Sequence, residues 1–183
     1  MSRRLILLLA AFGGSCCRTQ YENVRVFPVS GQGCSGFVVV EQDWHYPIGY
    51  VDAEDHLILI TADLNVLGQI EAVRPSPTGR RVLIESYGEG HQFISVYDVD
   101  ALVEHHADST MIPATGTLDP YPGALGNLKW VDDDTLQFES VSDFHVFDRE
   151  SRRGGWPPES EVEELRIWGW SIREDRFWEE SRE

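Results

Sequence analysis

Arg81-Val82-Leu83-Ile84-Glu85-Ser86-Tyr87 and Phe93-Ile94-Ser95-Val96-Tyr97, joined by Gly88-Glu89-Gly90-His91-Gln92, decide the fold class of this chain. Two runs of β-branched and aromatic residues flank a Gly-rich linker, the sequence signature of an antiparallel hairpin. The same alternation continues on both sides. Phe37-Val38-Val39-Val40 and His56-Leu57-Ile58-Leu59-Ile60-Thr61 precede the hairpin. Leu128-Lys129-Trp130-Val131, Thr135-Leu136-Gln137-Phe138-Glu139 and Phe144-His145-Val146-Phe147 follow it. Val24-Arg25-Val26-Phe27 predicts a short strand that Pro28 ends. Glu164 to Ile172 predicts a last strand, and Arg173 to Glu183 a charged tail, as a short helix or frayed. Strong helical periodicity is absent. Short strands at regular spacing with turn signals predict an all-β fold. We expect a small or partial β-propeller-like antiparallel meander, with a β-sandwich as the alternative.

The strands carry faint internal copies. Leu83-Ile84-Glu85-Ser86 is echoed by Gln137-Phe138-Glu139-Ser140, and Val96-Tyr97-Asp98 by Val146-Phe147-Asp148. The spacing fits loosely with repeats of about 40–50 residues. Arg74-Pro75-Ser76-Pro77-Thr78-Gly79-Arg80-Arg81-Val82-Leu83-Ile84, followed by Ile94-Ser95-Val96-Tyr97-Asp98-Val99, resembles one blade of the TolB-like β-propellers. Trp130-Val131-Asp132-Asp133-Asp134-Thr135-Leu136 through Asp148 resembles the next, with acidic residues replacing the Pro-Gly turn. Thr78 stands where the family usually has Asp. The resemblance implies a fold and carries no catalytic residues. Pro77 and Gly79 suit a tight turn, and Asp98 and Asp148 are expected to accept hydrogen bonds from nearby backbone. The residues from Gly36 onward suffice for three or four blades, at the small end of the range for propellers. A closed ring is possible only at that small end; otherwise the sheet is an open meander with exposed edges, or a ring completed by a homo-oligomer.

The first residues read as an address. Arg3 and Arg4 precede the apolar run Leu5 to Phe12, and Gly13, Gly14 and Ser15 follow. This is the order of a secretory signal peptide, here residues 1–15, and the run is too short to span a bilayer. Phe12-Gly13-Gly14-Ser15-Cys16 resembles a bacterial lipoprotein box, although Gly13 stands where that family usually has Leu. The resemblance implies cleavage before Cys16 and a diacylglyceryl anchor on it; the alternative is an ordinary signal and a secreted, soluble product. With Cys16 acylated, Cys17 and Cys34 remain as an even pair, and export places them where a disulfide between them persists; the alternative is two free thiols. The expected organisation is a lipid-anchored tether over 16–35, a β-repeat domain over 36–150, and a Trp-rich C-terminal segment over 151–183.

Charge excludes one class of partner. Thirty-one acidic against 15 basic residues give −16, and losing Arg3 and Arg4 with the leader makes the mature chain more negative. Such a surface repels phosphate backbones and anionic lipid heads, so nucleic acid is excluded and the membrane is reached only through the anchor. Gly33-Cys34-Ser35-Gly36 lacks the spacing of a nucleophile elbow. His105, His106 and Asp108 are weak metal candidates in a loop that reads better as solvated. Asp132-Asp133-Asp134 lacks the alternating oxygens of a calcium loop and reads as an acidic turn. Trp156, Trp168, Trp170 and Trp178 crowd a short segment and offer either a binding surface or sheet packing, with Trp168 and Trp170 on one face of a strand. No cofactor is implied. We therefore expect a non-catalytic binding protein of the bacterial cell envelope, facing the periplasm or exterior, whose partner is a protein or cell-wall component. The alternative is an acidic inhibitor or immunity-type protein that occludes a basic partner.

Overall fold

The computed structural model describes residues 24–31, 34–40, 48–52 and 57–60 as strand backbone, and residues 69–88, 90–104, 114–150, 152–156 and 164–181, with side chains from residue 70 to 101 and beyond 113. Antiparallel strands dominate, as the alternation in the sequence predicts. Val24–Gly31 (β1), Cys34–Val40 (β2), Ile48–Asp52 (β3) and Leu57–Ile60 (β4) form a meander in the order β1-β2-β3-β4. Pro28 does not end β1: it pairs with Gly36, and the register shifts between Pro28 and Gly31. An edge strand tolerates a residue without an N–H, which explains the difference.

The second sheet holds the diagnostic hairpin. Gln69–Pro75 (β5), Arg81–Gly88 (β6), His91–Asp98 (β7) and Gly116–Leu118 (β8) lie in the order β5-β6-β7-β8. The β6–β7 register runs from Arg81↔Asp98 to Gly88↔His91. The one-and-a-half-turn helix Val99–Glu104 (α1) follows β7. Asp98 Oδ1 accepts the Asp100 N–H at 3.1 Å, the local hydrogen bond expected of that residue.

Gly126–Trp130 (β9) and Thr135–Ser140 (β10) begin the third sheet, and the chain then leaves it. Asp143–Asp148 (β11) and Arg153–Gly155 (β12) pair as a separate two-stranded ribbon. The chain returns with Arg166–Ser171 (β13) and Arg176–Glu180 (β14), giving the order β14-β13-β10-β9. Two expectations change here. The echo at Val146-Phe147-Asp148 is not the counterpart of β7; β13, which lies within the last strand expected over 164–172, takes that place beside β10. Residues 176–180, expected as helix or frayed tail, form an edge strand. Side-chain burial gives the reason. On β11 only Phe144 is buried, while His145, Val146 and Asp148 are exposed. On β13, Trp168 and Trp170 are both fully buried, so β13 has the apolar face an interior strand needs.

The core runs between the second and third sheets. Leu83, Ile94, Val96 and Leu118 from the second meet Leu128, Leu136, Phe138, Trp168 and Trp170 from the third, with Phe144 of the ribbon joining them. Phe144 lies 5.3 Å from both Phe138 and Trp168, edge-on, a preferred aromatic geometry. Full burial of each large side chain contributes about 1.5–3 kcal/mol. Burial also pushes the Tyr97 hydroxyl up to about 12.

A polar clasp closes one end. Gly79, at φ 75°, sits in the left-handed region that Gly adopts without strain. It closes the turn through its N–H to Ser76 O at 2.9 Å, and buried Ser76 Oγ accepts the Arg81 N–H at 3.0 Å. Thr78 donates its N–H to Asp133 Oδ1 at 3.0 Å and its hydroxyl to Asp133 Oδ2. Arg81, buried, places Nη1 2.6 Å from Asp134 Oδ1, an ion pair rather than an aligned hydrogen bond, while Arg173 donates to Asp134 Oδ2 at 2.6 Å. Asp132 Oδ1 accepts the Asp134 N–H at 2.7 Å. The acidic turn thus ties the second sheet to the third.

Candidate functional site

The inserted ribbon carries the most unusual surface of the described residues. Its β12 strand forms a parallel bridge with the end of β8, Asp119 to Arg153. The Asp119 N–H donates to Arg152 O at 2.8 Å. Asp119 is 5% exposed. Its carboxylate accepts the Tyr121 N–H at 3.0 Å and the Arg153 Nε–H at 2.5 Å, and lies 3.3 Å from His91 Nε2. One buried acid therefore positions an aromatic residue, a guanidinium and an imidazole. Charge-assisted hydrogen bonds of this kind are short and strong.

Above Asp119 the side chains emerge into solvent. The Arg153 guanidinium lies 5.3 Å from the Tyr121 ring centroid. Tyr121 meets Trp156 at 5.9 Å with an interplanar angle of 85°, so the two rings form a right-angled corner. Trp156 is 67% exposed and Tyr121 40%. The His91 ring backs Tyr121 at 5.5 Å and touches Phe93 at 4.4 Å. Val146, also exposed, packs against Gly155 beside Trp156. The neighbouring Arg152 is engaged twice by Asp175, at 2.6 and 2.7 Å.

The four tryptophans separate. Trp156 alone belongs to this surface. Trp168 and Trp170 share a face, as their spacing requires, and are wholly buried in the core, so they offer no binding surface. Trp178 is half-buried and lies over Gly169 on the opposite face of the third sheet. Cys16, Cys17, His105, His106 and Asp108 lie outside the described residues, and Cys34 is described as β2 backbone opposite Asp52. Among the described residues no group of three His, Cys, Asp or Glu is placed to hold a metal, and no helix is long and apolar enough to cross a membrane. Asp119, Tyr121 and Arg153 were not singled out by sequence. The available signal was Tyr121 between two prolines and Trp156 after Gly154-Gly155.

A concavity of about 660 Å³ lies between the second and third sheets, with Arg74, Glu85, Asn127, Lys129, Gln137 and Glu139 on its walls. Most of its polar groups already have hydrogen-bond partners. Glu85 accepts from Arg74 at 2.8 Å and Gln92 at 2.6 Å, Glu139 accepts from Asn127 at 2.8 Å, and Gln137 donates to Glu180.

No family model matches the chain, and no curated protein is significantly similar to it. Among solved structures, the apo form of the isopeptidase AtxE2 is similar at 12% identity with a TM-score of 0.45, over 87% of this chain and 30% of that one. The chain thus spans less than a third of that protein's length.

Proposed function

We propose that the chain is an exported, non-catalytic binding protein of the bacterial envelope, a lipoprotein with TolB-like repeats, anchored through Cys16. It contacts its partner through the corner formed by Tyr121 and Trp156. The observation that carries this reading is the corner itself: two large, exposed aromatic rings beside an arginine, with the Tyr121 backbone and the Arg153 side chain held by one buried carboxylate. Trp, Tyr and Arg are the residues most enriched at binding hot spots, and a rigid presentation lowers the ordering cost of binding. The export and anchoring parts rest on Arg3, Arg4, the run Leu5 to Phe12 and Cys16.

Two measurements test the reading. Expressed in a bacterial host, the mature chain is expected in the membrane fraction with an acylated Cys16 by mass spectrometry, and Cys16→Ala is expected to abolish processing. An intact cytosolic chain with residues 1–15 retained refutes export. In-cell cross-linking from position 121 is expected to capture a partner that Trp156→Ala loses. A second reading, occlusion of a basic partner, is favoured by the net charge of −16. It predicts that capture weakens steeply with salt, because steering between exposed charges is screened.

A further inference from the structure

We propose that the Tyr121–Trp156 corner is a subsite for one neutral pyranose ring of an envelope glycan, with its C–H face stacked on Trp156 and Tyr121 as the side wall. The inference rests on the binding reading above and narrows its partner.

Size argues first. An aromatic side chain presents about 150–250 Å² when fully exposed, so at their observed exposures Trp156 and Tyr121 together offer roughly 250 Å². A stable protein interface needs about 800 Å² per partner. The corner is thus too small for a protein interface and suits a single small ring. Shape argues next. The rings meet at 85°, which suits a flat ligand laid on one plane and stopped by the other, rather than a broad docking face. Charge then selects among small ligands. The protein's −16 disfavours an anion. A quaternary ammonium would suit an aromatic corner, but the Arg153 guanidinium already occupies the cation position over the Tyr121 ring. A neutral ligand with an apolar face and a hydroxylated rim remains, which is the chemistry of a pyranose. Asp119 is the positioning residue: it fixes the Tyr121 backbone and the Arg153 side chain together.

The test is titration of the full mature chain, with tryptophan indoles ¹⁵N-labelled, by neutral oligosaccharides of N-acetylglucosamine, glucose and xylose. Trp156→Phe assigns the Trp156 indole signal among the six tryptophans. At least one saccharide is expected to shift that signal saturably and leave the buried Trp168 and Trp170 signals unmoved. Trp156→Ala and Tyr121→Ala are each expected to weaken binding about tenfold or more, while Trp178→Phe retains it. Trp156 is a surface residue, so its removal leaves the fold intact. The inference fails if no saccharide moves Trp156 up to its solubility limit, or if tetramethylammonium moves it and the sugars do not. Loss of the cross-linked protein partner in Trp156→Ala without any saccharide response leaves the binding reading standing and removes the glycan. A Trp156→Ala variant that alters neither readout removes both.

Discussion

Asp175 shows how much one side chain can do at the base of the ribbon. It occupies the left-handed region at φ 48° and receives both terminal nitrogens of Arg152. Those hydrogen bonds, reinforced by the charges of Arg152 and Arg149, hold its carboxyl below the usual carboxylate range against the opposing effect of burial. A group whose folded value is depressed adds stability that is present above its unfolded value, near 3.9, and is lost as pH falls through the folded value. Asp175→Asn keeps a residue that tolerates the same backbone conformation and removes the charge. The variant is expected to be less stable than the parent at neutral pH, with the gap shrinking below about pH 4. Urea denaturation at several pH values measures this, and a gap that stays constant with pH contradicts it.

At the scale of the element, the β13–β14 pair depends on a missing side chain. A Cβ on Gly169 would collide with the Trp178 ring, which lies across the strand. Gly169→Ala is therefore expected to cost about 1–3 kcal/mol, the usual range for overpacking, and to change the near-ultraviolet circular dichroism as Trp178 is displaced. Gly126→Ala is the matched control on β9. Its added Cβ would find its nearest neighbour at 3.6 Å, in Glu139, and the variant is expected to stay within about 0.5 kcal/mol of the parent. Equal effects at the two sites would contradict this account. The ribbon lies at the opposite extreme: β11 and β12 pair at Asp143↔Gly155 and Asp148↔Arg153 with an irregular register between, and it is held to the body by Phe144, Asp119 and Arg152.

For the whole molecule, the shared core predicts shared unfolding. Trp168 is fully buried in a cluster that takes residues from both the second and third sheets. Trp168→Ala is expected to cost about 3–5 kcal/mol. The loss should lower the stability of both sheets in one transition, because neither retains its inner face alone. Coincident far-ultraviolet dichroism and tryptophan fluorescence curves are expected in parent and variant. Separate transitions would show that the sheets are independent.

The sequence by itself determined most of the local structure. Alternating β-branched and aromatic runs fixed most strands because side-chain direction in a strand has a period of two. The Gly88–Gln92 linker fixed the β6–β7 hairpin, and Pro77 with Gly79 fixed the turn before β6. Trp168 and Trp170 were legible as one face of one strand. What pairs with what was decided only in three dimensions. β11 and β13 both read as strands, but the choice of neighbour for β10 depended on which could bury an apolar face against Leu83, Val96 and Leu118, residues far away in the chain. Thr78 and Asp133 meet across 55 positions, and Asp119 reaches Arg153 across 34. The candidate site is of the same kind. Tyr121, Arg153, His91 and Trp156 come from three separate segments, and no periodicity links them, because a contact between distant parts of a chain leaves no pattern in either part alone.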